Sequence, residues 1–109
     1  MNFKELYELI DKTMLTKEIS EMNNDIINLK RINTTITLLK SKINKGDIAK
    51  FVNMSIEPLN QKYKINFVCE KDEDYDKILN MMINYINDLG NTILENKIKE
   101  EIAKRFLNL

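Results

Sequence analysis

From Ile19 to Ile43 the apolar residues return at every third or fourth position: Ile19, Met22, Ile26, Leu29, Ile32, Ile36, Leu39 and Ile43. Such spacing puts them on one face of a helix and comes close to the seam of a coiled coil. It predicts one long helix over 17–44, capped by Thr16 and stopped by Asn44-Lys45-Gly46, with Gly46 suited to the left-handed position just past a helix end. The run Asn33-Thr34-Thr35-Ile36-Thr37 holds poor helix formers, but the seam passes through it. Upstream, Asn2-Phe3-Lys4-Glu5 fits a capping box, and Phe3, Leu6, Leu9 and Ile10 share a face. A short first helix over 3–13 is expected.

The period then changes. Val52-Asn53-Met54-Ser55-Ile56-Glu57 alternates apolar and polar, and Lys62-Tyr63-Lys64-Ile65-Asn66-Phe67 does so again, with Pro58-Leu59-Asn60-Gln61 between them. Alternation on both sides of a short loop predicts a β-hairpin with strands at 50–57 and 62–69. Val52, Met54 and Ile56 would then meet Tyr63, Ile65 and Phe67 on one face. A lone hairpin is marginal in water, so it is expected to lie on the helices or on another chain. Asp72-Glu73-Asp74 supplies negative charge to the start of a following helix, with Tyr75, Ile78, Leu79, Met82, Tyr85, Ile86 and Leu89 as its stripe and Gly90-Asn91 as its stop. Thr92-Ile93-Leu94-Glu95 reads as the capping box of a last helix that carries Leu94, Ile98, Ile102 and Phe106. The expected architecture is a single α+β domain over 1–109, predominantly helical, in the order α-α-β-β-α-α with a long second helix and a central β-hairpin.

Composition narrows the chemistry. The 109 residues are 43% hydrophobic and 31% charged, enough for one modest core. The chain has no His and one Cys, which excludes imidazole catalysis, His metal ligation and an intrachain disulfide. Two glycines cannot build a P-loop or a dinucleotide fingerprint. No cofactor and no metal are expected. The first residues lack a basic patch followed by an apolar stretch, and no apolar run spans a bilayer, so a soluble, cytoplasmic protein is expected. Lys outnumbers Arg 15 to 2, and Ile and Asn are abundant, the flavour of an AT-rich genome.

The zero net charge hides an asymmetry: residues 1–29 sum to −3, residues 30–64 to +6 and residues 65–109 to −3. A basic middle between acidic ends attracts either nucleic acid or an acidic protein surface, unless the ends neutralise it within the chain.

Motifs that would carry a reaction are incomplete. Asp72, Asp74 and Asp76 occupy the first three ligand positions of an EF-hand loop, but Lys77 stands at the turn glycine and Ile83 at the bidentate Glu. A helix start accounts for these acids. Cys69 lies beside Glu70 and Asp72, which raise a thiol pKa rather than lower it, and it reads as structural. A helix-turn-helix over Asp47–Lys64 would bury Ile48, Ala49, Val52, Met54 and Leu59. It would also put Pro58 early in its recognition helix and offer no Arg to guanine, so the same residues make the better hairpin. The hairpin's polar face, Asn53, Ser55, Lys62, Lys64 and Asn66, has charge but no aromatic to stack a base.

These observations lead to a non-catalytic protein-interaction module, a regulator or inhibitor of the kind a mobile element in an AT-rich host carries. Its expected contact surface is Lys40, Lys42, Lys45, Lys50, Lys62 and Lys64. A homodimer is expected through the seam Ile19, Met22, Ile26, Leu29, Ile32, Ile36, Leu39 and Ile43, because a 28-residue helix is about 42 Å long and overshoots a compact domain of this size. The alternative is a nucleic-acid-binding regulator that sets the same lysines on phosphates.

Overall fold

The computed structural model describes residues 12–107, and their side chains from residue 17 onward. Three helices carry the chain: α1 (Lys12–Leu39), α2 (Asp47–Tyr63) and α3 (Tyr75–Leu107), with short 3-10 turns at Lys40–Lys42 and Asp72–Asp74. Among the described residues there is no strand. The protein is all-α, which overturns the α+β expectation and its hairpin.

α1 runs through Thr13–Thr16 without the expected break and through Asn33–Thr37 without interruption. The short helix expected over 3–13 falls outside the described residues except for Lys12 and Thr13, which belong to α1. The poor helix formers of the second stretch are held by their side chains. Thr34 Oγ1 donates to the Lys30 carbonyl at 3.0 Å, Asn33 Nδ2 donates to Asp76 at 2.6 Å, and the Thr37 hydroxyl pairs with that of Tyr75 at 2.8 Å. Ile36 among them is fully buried. α1 ends at Leu39, earlier than expected, and Gly46 is left-handed (φ 89°) as the residue that precedes α2 rather than the one that closes α1.

α2 occupies the first predicted strand and the hairpin's loop. It buries Ile48, Ala49, Val52, Ile56 and Asn60, a series with helical spacing. Val52 and Ile56 lie four apart, so they share a face in a helix as well as in a strand. Met54 alone distinguishes the two, and it is 77% exposed. Pro58 sits inside the helix and has no N–H to offer the preceding turn, a loss of about 3 kcal/mol. Full burial of one Val or Ile side chain contributes about 1.5–3 kcal/mol, and α2 buries three of them, which outweighs the proline.

α2 closes without glycine: Lys64 is left-handed (φ 56°), its N–H reaching Gln61 O while that of Ile65 reaches Asn60 O. The chain then runs back, extended, along α2. In this strap Ile65, Phe67 and Cys69 turn inward while Asn66, Val68 and Glu70 are exposed. Its hydrogen-bond partners are two side-chain amides of α2. Asn60 accepts from the Phe67 N–H and donates to the Phe67 carbonyl, both at 3.0 Å, and Asn53 does the same for Cys69 at 2.7 and 2.8 Å. The second predicted strand is therefore extended chain fastened to a helix.

α3 is one helix where two were expected. Its backbone continues through Gly90, and Thr92 Oγ1 bonds back to the Asp88 carbonyl at 3.0 Å instead of capping a new helix. A methyl group at Gly90 would meet Met22 Cε at 3.7 Å, an ordinary contact. Glycine costs a helix about 1 kcal/mol against alanine, less than the burial of Ile86 alone returns.

α3 lies antiparallel to α1: Tyr75 and Asp76 meet Thr37 and Asn33, while Gly90 lies against Met22 and Ile19. α2 covers this pair from the α1–α2 turn as far as Asp25, which receives Lys62 and Tyr63. The core of this three-helix part is Leu29, Ile36, Val52, Ile56, Leu79, Met82 and Ile86. Beyond it α1 and α3 continue as two helices, with Ile98 buried between Ile19, Leu94 and Ile102. The molecule measures 64 × 23 × 18 Å, and its radius of gyration is 18.5 Å. A compact chain of this length would be near ~13 Å.

The expected dimer seam is packed inside the chain. Met22, Leu29 and Ile36 are buried, Ile19, Ile26, Ile32 and Ile43 pack against the core, and Leu39 is the most exposed member at 44%. The long helix overshoots the shorter α2, but α3 is longer still and packs along it from Thr37 to Ile19.

Candidate interaction surface

The six candidate lysines separate into two groups. Lys40 and Lys42 lie on the 3-10 turn after α1, Lys45 in the turn before Gly46, and Lys50 in the first turns of α2. Lys62 and Lys64 stand at the far end of α2, about 18 Å away by helical rise between Lys50 and Lys62. All six are exposed. Lys62 is engaged: its Nζ lies 2.7 Å from Asp25 Oδ2. The same oxygen accepts the Tyr63 hydroxyl at 2.5 Å, and burial, followed by this carboxylate, pushes the Tyr63 phenol well above its ordinary pKa. Among the described residues Lys40, Lys42, Lys45 and Lys50 form no ion pair.

The corner that carries the first group is built by Gly46 and Asp72. Gly46 adopts the left-handed conformation that lets the chain turn into α2, and a side chain at this φ would be strained. The Asp72 carboxylate then caps the helix from a distance in sequence, accepting the Gly46 N–H at 2.6 Å and the Ala49 N–H at 3.0 Å. Those two bonds, the Ala49 one foremost, hold its pKa below the ordinary carboxylate value, with Lys45 adding to the effect. This contact brings the acidic stretch of Glu70, Asp72, Glu73, Asp74 and Asp76 beside the lysines. The end of the bundle is therefore dipolar, basic on the α1–α2 turn and acidic on the turn before α3. Leu38, 74% exposed, and Leu39 add an apolar edge on the basic side.

Other candidates have structural employment. Asp72 and Asp76 serve N–H groups of their own chain, and among the described residues no cluster of acids and cysteine is placed to hold a metal ion. Cys69 is buried, with Sγ 3.1 Å from the Lys71 carbonyl. Burial, then Asp74, Asp72 and Glu73, push its thiol pKa up. The polar face assigned to the hairpin does not exist as a surface: Asn53 fastens the strap and Ser55 bonds back to the Phe51 carbonyl.

Compared with protein-family models, with curated proteins and with solved structures, the chain matches none. Among the described residues no helix is long and apolar enough to cross a membrane.

Asn53, Asn60 and Asp72 carry the joints of the fold, a role the sequence did not reveal when it suggested a hairpin face, a loop and a helix start for them. Asn53 and Asn60 are seven residues apart, hence on one helical face, a relation visible only once 47–63 is read as helix.

Proposed function

We propose that the chain is a small, non-catalytic protein-interaction module that binds a protein partner through the basic corner of Lys40, Lys42 and Lys45, with Lys50 at its margin. The observation that supports this is that these exposed lysines have no ion-pair partner in the described chain and stand beside exposed Leu38 and Leu39. Charge next to apolar surface suits a folded protein or an amphipathic peptide, which offers carboxylates and apolar groups together. The adjoining acids favour the same class over nucleic acid, since a phosphate backbone would be repelled from half of this end. Lys62 and Lys64 are left out of the contact, the one being paired with Asp25 and both standing at the opposite end of α2.

Affinity capture from the native host with wild type and with the triple charge reversal Lys40→Glu, Lys42→Glu, Lys45→Glu, each with and without nuclease, tests the proposal. A protein retained after nuclease by wild type and lost from the variant is expected, with the melting temperature unchanged. Retention by the variant would place the contact elsewhere. Capture abolished by nuclease, with a mobility shift that weakens steeply with salt, would favour the nucleic-acid alternative.

A further inference from the structure

Among the described residues the outer face of α2 is uncovered. Phe51 is 47% exposed, Met54 77%, and Pro58 is exposed as well. The three are spaced by three and four residues, the step that keeps side chains on one narrow helical seam. On one flank of that seam stand Lys50 and Glu57, seven residues apart and both exposed. Among the described residues neither forms an ion pair, and Glu57 accepts one hydrogen bond from Gln61 Nε2 at 3.2 Å.

This arrangement is self-complementary. Phe51 and Pro58 lie three and four residues to either side of Met54, and Lys50 and Glu57 lie four and three. If two copies of α2 are laid antiparallel about a two-fold axis beside Met54, Phe51 of each meets Pro58 of the other, the two Met54 side chains meet on the axis, and each Lys50 faces a Glu57. A two-fold interface requires that every contact occur twice from one patch, and here acid and base occupy the same flank at mirrored distances. We propose that α2 is a homodimerisation face, with a second copy of this chain as its occupant in an antiparallel α2–α2 contact. The face shares only Lys50 with the margin of the basic corner, and the dimer would carry its two Lys40–Lys45 turns at opposite ends. A single helix face is small for an interface, so the dimer belongs to the weak, concentration-dependent class, with a dissociation constant on the order of a hundred micromolar.

Sedimentation velocity of the full chain from about 10 μM to about 1 mM reads the outcome directly. Wild type should pass from monomer to dimer over this range. Met54→Glu should weaken association at least about tenfold with an unchanged far-ultraviolet circular dichroism spectrum, since the side chain is solvent-exposed. Lys50→Glu and Glu57→Lys should each weaken it, and the double exchange should restore it, because the reciprocal pairs are then re-formed with reversed sign. A wild type that stays monomeric throughout, a dimer indifferent to Met54→Glu, or a double exchange without recovery would each overturn the proposal. All of these readings are made on the purified chain alone, and the wild-type and Met54→Glu arms leave every lysine of the basic corner in place.

Discussion

Asp72 holds two backbone N–H groups that no neighbour in sequence supplies for. The start of α2 leaves its first amides without helical partners, and Gly46 has no side chain to serve them, so a carboxylate 26 residues further on does. Folding lowers the Asp72 pKa below its ordinary 3.8. The stabilisation is therefore present above that value and is lost as the pH falls through the lower folded-state pKa. Urea midpoints should drop as the medium is acidified below about pH 4. Asp72→Asn should lower the midpoint at neutral pH and flatten this part of the acid limb; an unchanged acid limb would mean that other carboxylates set it. The acids at 72–76 were legible in the sequence as negative charge at a helix start. Which helix Asp72 would cap was not, because α2 precedes it in the chain and only the tertiary path brings the two together.

At the scale of elements, the joint between α2 and the strap decides what the middle of the chain becomes. Asn60, 7% exposed, supplies both hydrogen bonds of Phe67, and Asn53 supplies both of Cys69. Asn60→Ala would leave a partly buried N–H and carbonyl without partners, at a cost of about 1–3 kcal/mol. Urea denaturation should show this as a lower midpoint with an unchanged slope, and an unaffected midpoint would mean that water replaces the amide. The alternation over 62–67 predicted the second strand of a hairpin, and no strand forms there. α2 runs to Tyr63, and the inward turn of Ile65, Phe67 and Cys69 is met by side-chain amides instead of a partner strand. Period-two alternation reports which residues turn inward, and it says nothing about whether a strand or a row of amides receives the backbone. The same ambiguity misassigned 50–57, since Val52 and Ile56 suit either element and the exposed Met54 was the one dissenting residue. The breaks expected at Thr13–Thr16 and at Gly90 failed for a related reason. A cap or a glycine shifts a helix by about 1 kcal/mol, and the apolar stripe continuing across Gly90 outweighs that.

Across the whole molecule, stability is uneven. α2 covers only one part of the α1–α3 pair, so the centre packs three helices around Leu29, Val52 and Leu79, while the extension rests on two helices around Ile98. Amide exchange should follow that division. Residues 79–86 of α3 are expected to exchange only through global unfolding, and residues 99–104 at least about tenfold faster through local opening. Uniform protection along α3 would show that the extension is as firmly held as the centre.

The sequence by itself determined the long amphipathic helix through 17–39, the apolar stripe of Tyr75, Ile78, Leu79, Met82, Ile86 and Leu89 (Tyr85, expected with them, is exposed), the left-handed conformation of Gly46 and the exposed lysines beside it. Each of these follows from local periodicity or from the conformational freedom of a single residue. Only the tertiary structure decided that the seam is covered by α3 and α2 of the same chain, that 47–63 is a helix, that Gly90 lies inside one, and that acids stand beside the basic corner. Those outcomes depend on which buried surfaces meet across the chain. The free energy of that meeting exceeds the small local preferences from which a sequence is read.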